Sequence, residues 1–157
     1  MDGKKKSARC FLHTPKKRES LSLFGALNLK TRKFYWKKAK KGNSKVFQQF
    51  LIQMEQNNPG KQLCFIVDNS SIHKSLRIKN FLKKHINIHL FFLPPYSPEY
   101  APIERFWRWV KTKIYGLYET CGIDSITTKI RKLIWHYNEG TLIQEINFKF
   151  EAYQEIL

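Results

Sequence analysis

Two kinds of hydrophobic spacing alternate along this chain. Residues 20–29, SLSLFGALNL, and 33–36, KFYW, read as two strands joined by the short polar link KTR. From 44 to 57 the period becomes helical, with Val46, Phe47, Phe50, Leu51 and Met54 on one face. The stretch NNPGK, with Asn, Pro and Gly together, ends that helix. Residues 63–67, LCFIV, form a continuous apolar run, which predicts a strand covered on both faces. The spacing predicts a helix over 71–85, with Ile72, Leu76, Phe81 and Leu82 inward, and a second buried strand over 86–93, INIHLFFL. The four prolines of PPYSPEYAP remove backbone donors and fix φ, so that segment cannot be regular structure. A helix is predicted from about 102 to 117, apolar at Ile103, Phe106, Trp107, Val110 and Ile114, and two more over 124–138 and 141–155. The order β-β-α-β-α-β-α-α-α predicts a mixed α/β fold with helices packed on a sheet. There is no internal repeat and no low-complexity stretch.

A chain of 157 residues makes one domain, and 42% hydrophobic residues with 12 Phe, 7 Tyr and 4 Trp favour a packed core over disorder. Charge narrows the partners. The 29 Lys and Arg against 12 Asp and Glu give +17, a field that draws polyanions: nucleic acid first, an anionic membrane surface second. Residues 1–61 hold 16 basic and 3 acidic groups, whereas 62–157 hold 13 and 9. This is the layout of a basic, DNA-gripping arm on a nearly balanced body; a merely solvated lysine-rich surface is the plainer alternative. The predicted division is a basic segment over 1–19, a core over 20–120, and C-terminal helices over 121–157 packed on it. Cys10, Cys64 and Cys121 are odd in number and widely spaced, which speaks against a disulfide framework. Cys10 and His13 have ligand-like spacing but no second pair, so no zinc site is expected. With no apolar run of membrane-spanning length and no signal-peptide core, the expected setting is cytoplasmic and reducing, without a membrane.

Two acids stand where chemistry is expected. Open α/β sheets place their sites beyond the carboxyl ends of the strands, and Asp68 follows the apolar run 63–67. Strand 86–93 runs into the proline loop, and Glu104 lies in the first turn of the helix that the loop launches. If the two strands pair side by side in a β-α-β unit, their carboxyl ends lie together and the two acids become neighbours. Carboxylates converging on one cleft repel unless a cation lies between them, and hard oxygen ligands suit magnesium or manganese. Each acid also has an ordinary reading. Asp68, followed by Asn69, Ser70 and Ser71, could cap the next helix; Glu104 could face the helix dipole or pair with Arg108 at i+4. His73 alone reads as a helix-start hydrogen-bonder, and Trp107 and Trp109 as packing.

FIVDNSSIHKS at 65–75 and LFFLPPYSPEYAPIERFWRWVKTKI at 90–114 together resemble the core of the DDE transposases of the mariner superfamily. The bacterial insertion-sequence branch, the IS-six-thirty group, is closest. The resemblance is strong over 63–113 and looser over the hairpin SLSLFGALNLKTRKFYW. It implies an RNase H-like fold. It makes Asp68 the second catalytic carboxylate and Glu104 the third, both metal ligands, with Mg2+ (or Mn2+) as cofactor. Asn69 and His73 become candidates to orient Asp68 or approach the scissile phosphate, and Arg108 and Lys111 candidates for DNA contact, a solvated lysine being the alternative at Lys111. Ala101 stands where relatives often carry Asn, which removes a helix cap but no ligand. The implied partners are double-stranded DNA, as transposon ends and target, and a dimer mate or an upstream transposase polypeptide, with a nucleoid-associated location. The implied reaction is cutting by activated water, followed by attack of the freed 3′-hydroxyl on target DNA.

The family's first catalytic Asp belongs on a central strand upstream of the hairpin. Only Asp2 precedes that hairpin, beside Gly3 and three lysines, with no apolar run to form a buried strand. The expectation is therefore a fold lacking its first, central strand, with 20–29 and 63–67 left without their intervening partner. A chain so built is expected to be inactive alone. The alternative is a non-catalytic, DNA-binding transposase remnant.

Overall fold

A computed structural model of the chain describes residues 20–94, 102–115 and 122–141. Strands β1 (Ser22–Leu27) and β2 (Phe34–Ala39) form an antiparallel hairpin, with Leu27 opposite Phe34 and Ser22 opposite Ala39. β2 outruns the apolar KFYW because Lys37 and Lys38 pair across to Phe24 and Leu23, so the ladder continues past the hydrophobic residues. At the hairpin tip, Asn28 Oδ1 accepts the backbone N–H of Lys30 and Thr31, and Arg32 takes a left-handed φ of 58°.

Helix α1 (Ser44–Gln56) starts where Asn43 caps it by accepting the N–H of Val46 at 3.0 Å. It buries Phe47, Phe50, Leu51 and Met54, as its period predicts, while Val46 is half-buried. β3 (Leu63–Val67) pairs in parallel with β4 (Ile88–Phe92), so both carboxyl ends point the same way, as a β-α-β unit requires. Between them the chain departs from the predicted single helix over 71–85. It breaks into α2 (Ser71–Lys74) and α3 (Leu76–Leu82), because Ser75 is extended and its hydroxyl caps α3. The break rotates the inward face. Ile78 and Phe81 are buried, and Leu76 is 71% exposed.

The coverage of β3 differs from expectation too. Leu63, Phe65 and Val67 pack against the core formed by α1, α3 and Ile88, while Cys64 and Ile66 on the opposite face are exposed. Among the described residues, a continuous apolar run therefore serves a sheet that one helix layer covers. β1–β2 is the reverse case: Phe24 and Ala26 face α1, and Leu23, Leu27 and Phe34 face a second core. That second core is built by α4 (Pro102–Ile114) and α5 (Ile123–Asn138) around Phe106, Val110, Ile114, Ile130 and Tyr137. Its centre is aromatic, with Phe34 stacked on Phe106 at 3.7 Å and Tyr137 edge-on to Phe106 at 4.9 Å. The end of the predicted 102–117 helix beyond Tyr115, and the predicted helix over 141–155 beyond Thr141, lie outside the described residues, as does Asp2.

Among the described residues, then, the sheet is two separate pairs: β1 bonds only to β2, and β3 only to β4. The strands expected to lack an intervening partner are not each other's neighbours. No described helix is long and apolar enough to cross a membrane.

Candidate functional site

Asp68 stands one residue past the carboxyl end of β3, where the ladder stops and a side chain can turn outward. Its side chain is 74% exposed. One carboxylate oxygen is engaged twice: Oδ1 accepts the N–H of Ser70 at 3.0 Å and lies 3.0 Å from His73 Nδ1. His73 Nδ1 is also 3.3 Å from the Asp68 carbonyl oxygen. Both neighbours of that nitrogen are acceptors, so Nδ1 carries the proton and donates. The imidazole is held from behind by Phe47, with ring centroids 4.4 Å apart, and is only 16% exposed. Asp68 is thus fixed by a half-buried histidine, while Oδ2 has no partner among the described residues. The cap of α2 is Ser70, not Asp68, so the ordinary helix-capping reading of this acid does not hold.

Asn69 does something the sequence did not indicate. Its Nδ2 donates to the carbonyl oxygen of Leu93 at 2.6 Å, next to the ladder bond from Leu93 N to Val67 O at 2.9 Å. It therefore ties the end of β3 to the end of β4, at the point where the chain leaves for the proline loop, and is not bonded to the Asp68 carboxylate.

Glu104 is exposed in the first turn of α4. The helix turns Phe106, Trp109, Val110 and Ile114 into the core, which leaves Glu104, Arg108 and Lys111 together on the outer stripe at i, i+4 and i+7. Glu104 makes no ion pair with Arg108. Trp107 and Trp109 are packing residues, as their ordinary reading holds: Trp107 meets Phe34 edge-on at 5.1 Å, and Trp109 lies 5.6 Å from Phe106. No contact joins Asp68 to Glu104 among the described residues. Nor do any three His, Cys, Asp or Glu side chains among them gather as a metal-binding group.

Two supporting residues escaped the sequence reading. Gly25 lies where α4 crosses β1; a Cβ there would sit 2.4 Å from the Phe34 ring and 2.6 Å from Trp107. A glycine inside an apolar strand is the available signal for such close approach. Asn138 accepts from Phe34 N at 2.8 Å and donates to Phe34 O at 2.9 Å, and so satisfies the outward backbone of β2 at that residue. Across a separation of 104 residues, nothing local announces it.

Comparison with known proteins now bears on this geometry. The family model of the DDE superfamily endonucleases matches residues 3–119. An insertion element IS630 protein of Shigella sonnei, an uncharacterized 39 kDa protein, is 28% identical over 119 residues. That match covers 75% of this chain and 35% of the relative, so the chain spans about a third of that protein's length. The catalytic core domain of BIV integrase superposes with a TM-score of 0.54 at 16% identity, over 73% of this chain and 72% of that one. A chain of the simian T-cell lymphotropic virus intasome, solved with the PP2A regulatory subunit B56 gamma, gives 0.59 at 16% identity, over 73% and 41%. These neighbours make the fold RNase H-like. Divalent metal ions are the general cofactors of this family. The chain belongs to the DDE superfamily endonucleases.

Proposed function

We propose that this chain carries two of the carboxylates of a transposase site, Asp68 and Glu104, which act on transposon-end and target DNA by metal-dependent phosphoryl transfer. The observation that supports it most is the state of Asp68: an acid at a strand's carboxyl end, held through one oxygen by His73 and open at the other. The donors fit Mg2+ or Mn2+, since both are hard carboxylate oxygens on exposed side chains. Such an ion would polarise a phosphoryl oxygen and lower the pKa of a bound water. The protein's part is positional. His73 fixes the rotation of Asp68, Asn69 ties the two strand ends, and Gly25 seats Trp107, one helical turn from Glu104. Arg108 and Lys111, on the stripe that carries Glu104, contact the DNA backbone. With a net charge of +17, binding to duplex DNA should weaken about tenfold or more for each few-fold rise in salt. The DNA is that of the nucleoid.

The test replaces by Ala the acids that match Asp68 and Glu104 in a full-length, active relative. Cleavage of transposon ends should be abolished with DNA binding retained; retained cleavage overturns the assignment. The alternative reading is a DNA-binding transposase remnant that does no chemistry alone, which the net charge of +17 suits equally well. Incubating the purified chain with magnesium and matched ends distinguishes the two, since robust cleavage rules out the remnant.

A further inference from the structure

Helix α5 spends its whole apolar face on the core, where Ile126, Thr127, Ile130, Leu133, Ile134 and Tyr137 are buried. At about 100° per residue, the opposite face is centred on Trp135, with Lys132, Arg131 and Thr128 behind it at i−3, i−4 and i−7. All four are exposed, the indole by 57%. A single exposed aromatic needs no explanation by itself. Here the surroundings single it out. Between 125 and 138 the helix carries Lys129, Arg131 and Lys132 and no Asp or Glu. None of these cations has an ion-pair partner among the described residues. Toward the helix N-terminus from the ring, Lys132, Lys129 and Thr128 line a shallow open depression with Ser125 and Asp124, and Asp124 ends the cationic run.

The ring is also braced. His136 meets it T-shaped, with centroids 4.7 Å apart. Thr141 Oγ1 donates to the His136 carbonyl oxygen at 2.8 Å, and His136 Nδ1 lies 3.4 Å from the same hydroxyl. With the hydroxyl proton directed to the carbonyl, Nδ1 carries its own proton and donates. The imidazole is therefore tied to the end of the helix, and the indole it touches is partly ordered before any partner arrives. An ordered flat ring beside unneutralised cations suits a polyanion that itself carries flat rings. Duplex DNA offers phosphates to the cations, but its base faces are covered by their neighbours. An unpaired strand offers both, and every base has a face to stack. An anionic membrane fits less well. A helix lying on a bilayer needs an apolar face, and that of α5 is already in the core.

We infer that the outer face of α5 is a binding site for an unpaired DNA strand. Trp135 stacks on a base, while Arg131 and Lys132, about one helical turn away, hold the flanking phosphates and Lys129 the next one along. The site goes beyond the reading proposed above. It requires no metal ion and neither Asp68 nor Glu104, and it takes a form of DNA that the backbone contacts of Arg108 and Lys111 do not select.

Titrating the full chain in EDTA with a single-stranded thymidine dodecamer, and in parallel with a dodecamer duplex, tests it independently of the metal chemistry. The single strand should quench tryptophan emission, and Trp135→Ala should remove that quenching, since Trp36, Trp107 and Trp109 are buried or half-buried. The same change should weaken single-strand binding about fivefold or more and duplex binding by less than about twofold, with the unfolding midpoint unchanged. Trp135→Phe, which keeps a ring, should restore most of the affinity. Arg131→Ala and Lys132→Ala should each lower the log–log salt slope of single-strand binding by about 0.7. Equal losses for strand and duplex, no loss for either, or quenching that survives Trp135→Ala overturns the proposal. Tighter binding of a uridine dodecamer overturns it in favour of RNA. A blue shift of Trp135 on phosphatidylglycerol vesicles, without quenching by the strand, overturns it in favour of a membrane surface.

Discussion

The two halves of this molecule use the same unit, a pair of strands, in opposite ways. β1–β2 is covered on both faces, by α1 below and by the aromatic core of α4 and α5 above. Among the described residues, β3–β4 is covered on one face alone, and its other face carries Ile66 and Phe91, the latter 56% exposed. The first pair is thus enclosed, while Asp68 stands at the end of the second. Asp68 lies one residue past β3 with its side chain 74% exposed. Burial would charge a desolvation cost to an ionised carboxylate, and that exposure avoids it.

The sharpest way to break this contrast is to hollow out the covered side. Phe106, 0% exposed and stacked on Phe34, should cost about 3–5 kcal/mol when changed to Ala, read as a lower midpoint in denaturant. A loss under about 1 kcal/mol would mean that the second core does not hold β1–β2. Gly25→Ala comes next. The added methyl meets the rings of Phe34 and Trp107, and overpacking of this kind costs about 1–3 kcal/mol. Because Trp107 and Glu104 share α4, the same change should shift the near-ultraviolet dichroism of the tryptophans; an unaltered spectrum and midpoint would show that α4 does not sit on Gly25. The smallest effect belongs to the open face. Phe91→Ser should alter stability by no more than about 0.5 kcal/mol and reduce self-association on sizing columns. A loss of several kcal/mol there would mean that the face is covered after all.

What could be read in advance follows the range of the interactions. The hydrophobic period gave α1 and its four buried residues, β3 to the residue, and the parallel pairing of β3 with β4. The helix break came from one competing hydroxyl, Ser75, whose cap outweighed continuation of the period and turned Leu76 to solvent. Asp68, Glu104 and His73 could be named from the motif, since the motif is local. Asn69 could be named as well, but its partner, Leu93, is fixed only by strand pairing.

The sequence by itself therefore determined the elements, the excess of positive charge and the residues of the motif, because propensity, period and composition act within a few positions along the chain. The tertiary structure alone decided which faces are covered and which edges are closed. Whether LCFIV is sheltered on one side or two depends on the layers that reach it. The bonding of Phe34 by Asn138 and the seating of Trp107 on Gly25 depend on contacts between residues far apart in the chain, whose closure no local pattern encodes.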